Sequence, residues 1–218
     1  MRESVGELTS FDSRIWRSLR TLIRFPGQLT TAWIEGRRQS FTRPLRLFLI
    51  AVLLLAGSSA IWRTEGGFLS GFLQGAMSGG PEPDERAREA AAFLARTIQW
   101  FGLALVPVAA GIVACFYRRR PFSVHLVTVL HIFTFAVIGY VAFLNLLGLI
   151  SALGAPGSLE FVLGGLLFAV VVVHVYRTLA VVYGSPPFVT FLKAAGIVVG
   201  TLVLWVAGAV LWVTARSL

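Results

Sequence analysis

Apolar residues in this chain cluster into five runs, each long enough to cross a bilayer at about 20 residues per helix. They cover residues 45–62, 98–117, 124–149, 161–176 with a weaker tail to 183, and 191–214. The pattern predicts an all-α integral membrane protein with five transmembrane helices. A different pattern precedes them, over residues 11–44. Phe11, Ile15, Leu19 and Leu22 recur at helical spacing, flanked by Trp16 and Ile23, while Arg14, Arg17, Arg20 and Arg24 recur on the opposite face. At about 100° per residue the two sets do not mix, which predicts an amphipathic helix lying in a membrane interface. Pro26-Gly27 then breaks the chain, a second short helix follows, and Gly36-Arg37-Arg38 leads to Pro44. The expected organisation is a lead-in over residues 1–43 and a five-span domain over residues 44–218.

Between the first two runs lies an external loop, residues 63–97, in which Gly67, Gly71, Gly75 and Gly79 recur every fourth residue. On a helix they form a ridge for close backbone approach, a candidate homo-oligomer or partner contact. At about 13 residues the segment is too short to span. A flexible glycine-rich loop is the alternative reading. Asp84, after Pro81 and Pro83, is placed to cap the second span, and Pro107 to kink it. About ten residues with Gly154, Pro156 and Gly157 join the third and fourth runs, which predicts an antiparallel hairpin. Gly196 and Gly200 give the last span a small-residue face or reflect the glycine enrichment usual in such helices.

Composition agrees with this solvent. Of 218 residues 56% are hydrophobic and 13% charged, with mean hydropathy +0.80; soluble domains carry about 25% charged residues. The first run starts too late for a cleavable signal peptide, so the first span is expected to be an uncleaved anchor. The net charge of +9 matters through its placement. Arg2, Arg14, Arg17, Arg20, Arg24, Arg37, Arg38 and Arg43 precede the first span; Arg118–Arg120 separate the second and third; Arg177 and Lys193 separate the fourth and fifth. Five spans put all three groups on one side, which the positive-inside rule makes cytoplasmic, with the C-terminus outside. Trp62, Trp100 and Trp212 then fall at the outer interface. Membrane topology explains the charge without nucleic acid. The single Cys115 excludes an internal disulfide and any Cys-x-x-Cys site.

Ionisable groups inside a bilayer are costly, so each is a candidate for function. With the third span entering near Pro121, His125 lies about 6 Å and His131 about 15 Å deep, the latter near mid-membrane. His174 and Arg177 close the fourth span, His174 at a depth like that of His125. The hairpin is expected to gather them into a polar patch open to the cytoplasm, ringed by Arg118–Arg120 and Lys193. His125 and His131 are six apart rather than three or four, and no carboxylate is near, so a metal site fits poorly. A phosphate-bearing lipid head group or small anion fits the arginines better. No catalytic constellation is present: Gly-x-Ser-x-Gly, His-Glu-x-x-His, phosphate loops and paired acids are all missing. No cofactor is called for.

Three stretches carry a family resemblance. The first is Arg20-Thr-Leu-Ile-Arg-Phe-Pro-Gly27 with Trp33-Ile-Glu-Gly-Arg-Arg38, Phe41 and Pro44-Leu-Arg-Leu-Phe48. The second is Tyr117-Arg-Arg-Arg-Pro-Phe-Ser-Val-His125 with Leu130-His131-Ile-Phe-Thr-Phe135, and the third Tyr176-Arg177, Val182-Tyr183-Gly184 and Leu192-Lys193. Their order and spacing resemble a bacterial multi-pass family filed as domain of unknown function 3667, here without the Cys-x-x-Cys zinc ribbon that precedes the domain in many members. A fainter architectural similarity is to Yip1-like membrane proteins. The resemblance implies no established activity. The expected function is a non-catalytic bacterial inner-membrane protein: membrane-organising, lipid-interacting or an accessory subunit. Anionic lipids are its expected partners, at a cytoplasmic site of Arg37, Arg38, His125, His131, His174 and Arg177. The alternative is a small transporter or channel with its polar site near His131.

Overall fold

The structure, a computed structural model, describes residues 2–62, 105–154 and 158–216. All regular structure there is helical: α1 (Arg2–Arg24), α2 (Gln28–Ile34), a 3-10 turn (Arg38–Ser40), α3 (Pro44–Trp62), α4 (Leu105–Phe116), α5 (Phe122–Ala152), α6 (Ser158–Tyr183) and α7 (Pro187–Arg216). Four helices, α3, α5, α6 and α7, are long and apolar enough to cross a membrane. α4 is the described part of the expected second span. The external loop, its Gly67–Gly79 repeat, Asp84 and Trp100 lie outside the described residues.

Breakers in the sequence set the element ends. Pro44 and Pro187 are the first residues of α3 and α7, where a missing N–H costs nothing, and Pro121 precedes α5 in extended backbone. α2 ends in a Schellman motif. Gly36, at φ +84°, donates its N–H to the Trp33 carbonyl at 3.3 Å, and Arg37 donates to that of Ala32 at 2.9 Å. The fourth span runs further than its hydropathy: α6 continues unbroken to Tyr183, because Arg177 and Thr178 lower the apolar average without interrupting the helix.

Two cores hold the bundle. In the larger, Ala109, Ala110 and Val113 of α4 are buried against Phe48 of α3, Val129 and Leu130 of α5, Val175 and Leu179 of α6, and Ala194 and Ile197 of α7. The glycine face of α7 lies on α4: a Cβ at Gly196 would stand 3.0 Å from the Phe116 ring, and one at Gly200 3.8 Å from Ile112. Asn145 of α5 donates from Nδ2 to Ser58 Oγ of α3 at 3.0 Å. The smaller core joins Leu22 of α1, Leu29 of α2 and Leu47 of α3, with Ile15, Leu19, Phe135 and Ile138 against them. The apolar face expected to lie in lipid is therefore divided. Ile15, Leu19 and Leu22 pack inside the protein, and Trp16 and Ile23 stay exposed beside the arginines.

Candidate functional site

The break at Pro26-Gly27 seats the lead-in on the α5–α6 hairpin. Gly27 takes φ +84° and touches α6 so closely that a Cβ would stand 2.7 Å from Val181 Cβ and 3.2 Å from the Thr178 carbonyl oxygen. Leu29, Thr30 and Ala32 of α2 are buried in consequence. The Trp33–Arg38 turn, which carries the candidate Arg37 and Arg38, is not the part of the lead-in that meets this hairpin most closely. The closest approach is at Gly27, where the missing Cβ lets α2 lie against Val181 and Thr178 of α6; Gly36, in the later turn, has nothing within 4 Å of where a Cβ would stand.

Docking brings Thr30 Oγ1 within 2.9 Å of His131 Nδ1. Neither group is open to solvent: Thr30 is 0% and His131 1% exposed. Among the described residues no other bond holds the Thr30 hydroxyl, so its proton goes to Nδ1 and the neutral imidazole carries its own proton on Nε2. Among the described residues that Nε2 is buried with no hydrogen-bond partner, and so is Thr178 Oγ1. One turn along α5 from His131, Phe135 stacks on His174 with centroids 3.6 Å apart and planes 6° from parallel. The patch expected to open to the cytoplasm is thus closed over by α2.

His125 belongs to a second group nearer the helix ends. Its Nε2 lies 3.1 Å from the Arg120 carbonyl, which can only accept, and its Nδ1 lies 2.7 Å from Tyr183 Oη. The tautomer follows: Nε2–H donates to Arg120 and the Tyr183 hydroxyl donates to Nδ1. Tyr183 stacks on Tyr117 at 3.9 Å, and Lys193 Nζ sits 4.2 Å from the Tyr117 ring centre. This cation–aromatic ladder ties together the loop after α4, α5, α6 and α7. His125 and His174 do not share a depth, which corrects the sequence expectation. In antiparallel register His125 faces Tyr183 and Phe135 faces His174, ten residues along α5 or about 15 Å.

Arg37 and Arg177 stand apart from these groups. Arg177 is exposed, Arg37 is exposed and paired with Glu35, and Arg38 opens the 3-10 turn. The histidines therefore lie in the interior, and Arg37 and Arg177 on the rim, not in one pocket. Among the described residues no three His, Cys, Asp or Glu side chains converge. Sequence reasoning singled out the histidines but missed Thr30, Tyr117, Thr178 and Tyr183. Tyr117, His125, Tyr183 and Lys193 all lie within the family-like stretches, and that shared membership was the available signal.

No curated protein and no solved structure matches the chain. The docked segment is where kinship is visible: residues 12–56, which include α2 and most of α1 and α3, match the model of a family described as protein of unknown function, DUF3667.

Proposed function

We propose that this is a non-catalytic, five-span protein of a bacterial inner membrane that organises or recruits anionic lipid at its cytoplasmic face, alone or as an accessory subunit. One observation carries the reading. Arg14, Arg17, Arg20, Arg24, Arg118, Arg119, Arg120 and Arg177 are all exposed, and all lie at the bundle end where α3, α5 and α7 begin and α6 finishes. The positive-inside rule makes that end cytoplasmic, and a row of guanidinium groups there attracts anionic head groups at about 1 kcal/mol each. The 31 residues of α5 measure about 46 Å against a hydrocarbon core of about 30 Å, which leaves room for α2 to cover its first turns in the head-group layer. A homo-oligomer contact through Gly67, Gly71, Gly75 and Gly79 belongs to the same proposal.

Native mass spectrometry of the protein released from its membrane tests the lipid reading. Retained phosphatidylglycerol in excess over phosphatidylethanolamine, falling when the exposed arginines are changed to glutamine, supports it; equal retention of both lipids refutes it. The alternative, transport or conduction through a polar site near His131, draws on the unpartnered Nε2 in the interior. Selective flux into liposomes, abolished by His131→Ala, supports that alternative, and absence of flux removes it.

A further inference from the structure

A groove of about 790 Å³ runs between α1 and α3, closed on one side by Ile138 of α5. Its two walls differ in chemistry. On α1, Arg17, Arg20 and Arg24 fall within about 60° of one another around the helix at 100° per residue, and all three are exposed. On α3, Leu47, Ile50, Ala51 and Leu54 take positions i, i+3, i+4 and i+7, a single stripe about 10 Å long. Among the described residues no acidic side chain lines the groove.

We infer that this groove binds one anionic glycerophospholipid, its phosphate held by Arg17, Arg20 and Arg24 and one acyl chain laid along the α3 stripe. The inference rests on the proposed function and narrows it from a basic face to one site.

The wall chemistry selects the occupant. Three guanidinium groups on one helix face present forked donors matched to phosphate oxygens. A free phosphate would use only that wall and leave the leucines and isoleucine uncovered. The stripe is graded in the direction an acyl chain would take. Leu47 and Ala51 are 1% exposed and floor the groove, whereas Leu54, deepest along α3, is 51% exposed and opens it sideways toward lipid. Trp16 and Ile23, beside Arg20 on α1, are 72% and 52% exposed, as suits side chains inserted among neighbouring lipids. The α1 wall is itself fixed: Ser18 accepts from the Thr42 N–H at 2.9 Å, and Leu22 packs with Leu29 and Leu47, so the arginines keep their height above the stripe. The volume falls within the ~300–1,000 Å³ usual for ligand sites.

The test uses the full chain in mild detergent, with palmitoyl-oleoyl phosphatidylglycerol as the probe and phosphatidylcholine of the same chains as the reference, read by native mass spectrometry. The expected result is one phosphatidylglycerol per chain, held at least tenfold more tightly than phosphatidylcholine. Changing Arg17, Arg20 and Arg24 together to Gln should lower that affinity at least tenfold. Leu54→Trp, an exposed position whose larger ring fills the acyl track, should lower it as well. Changing Arg43 and Arg46, exposed basic residues outside the groove lining, together to Gln removes charge from the same face and should leave the single lipid in place. Equal losses from the two arginine variants overturn the groove while the proposed function stands, because charge alone then explains binding. Competition by inorganic phosphate with no effect of Leu54→Trp overturns the lipid in favour of an anion site. A second copy of the chain in place of lipid overturns it too. Absence of any phosphatidylglycerol preference in the wild type overturns both readings.

Discussion

Replacing Gly27 by alanine isolates the contact on which docking of the lead-in depends. Two costs arise. The φ of +84° is disfavoured for any residue with a Cβ by roughly 1–2 kcal/mol. The new methyl would also stand 2.7 Å from Val181 Cβ, an atom fixed by its own backbone, so α2 and α6 must separate. Overpacking of this kind costs about 1–3 kcal/mol. Gly36 supplies the control, since it has the same φ of +84° and nothing within 4 Å of where a Cβ would lie. Gly36→Ala therefore carries the strain without the clash. The difference between the two variants should equal the packing cost alone, about 1–3 kcal/mol or 5- to 150-fold in the population of the undocked state. Amide hydrogen exchange across residues 28–34, followed by mass spectrometry in detergent or nanodiscs, reads that population directly. Exchange should accelerate in Gly27→Ala by at least fivefold more than in Gly36→Ala, with α5 and α6 protected in both. Equal acceleration in the two variants would refute the close approach of α2 to α6.

Thr30→Val keeps the shape of the side chain but removes the donor to His131 Nδ1, leaving both ring nitrogens without partners. A loss of about 1–3 kcal/mol is expected in a detergent unfolding titration, and Thr30→Ser should restore most of it. Tyr183→Phe retains the stack on Tyr117 but strips His125 Nδ1 of its donor; about 1 kcal/mol should be lost, and an equal loss from Tyr117→Phe would count against the assignment. A double-mutant cycle of Asn145→Ala and Ser58→Ala should give a coupling of about 0.6 kcal/mol and at most about 1.7, typical of hydrogen bonds between helices in membranes. Zero coupling would show that the α3–α5 contact does not use that bond.

Much of the helical layout was legible along the chain. The first and third runs were expected at residues 45–62 and 124–149, and α3 and α5 span Pro44–Trp62 and Phe122–Ala152. The fourth run weakens in hydropathy after residue 176, yet the final turns of α6 carry Thr178, Val181 and Tyr183, all of them in the site. Hydropathy measures preference for lipid, whereas a helix persists wherever its backbone bonds are made. The lead-in offers two candidate features, the Pro26-Gly27 break and Arg37-Arg38. The close contact belongs to the first, at Gly27 and Thr30, because closeness of approach, not charge, decides which part of a segment can enter a packed hairpin.

The sequence by itself determined where helices form, where they stop and which bundle end is basic. Those properties depend on runs of apolar residues, prolines and glycines at the breaks, and the spacing of arginines, all set by neighbours in the chain. The tertiary structure alone decided the register of α5 against α6, and with it that His125 meets Tyr183 while Phe135 meets His174. It also decided that α2 seals His131 from water and that the arginines of α1 stand over an apolar stripe on α3. Helices in lipid gain little from burying apolar surface against one another, so their offsets are set by small residues that permit close contact and by single polar pairs. Gly27 against Val181 and Thr30 against His131 are contacts of that kind, and no periodicity in the chain encodes which residues will meet.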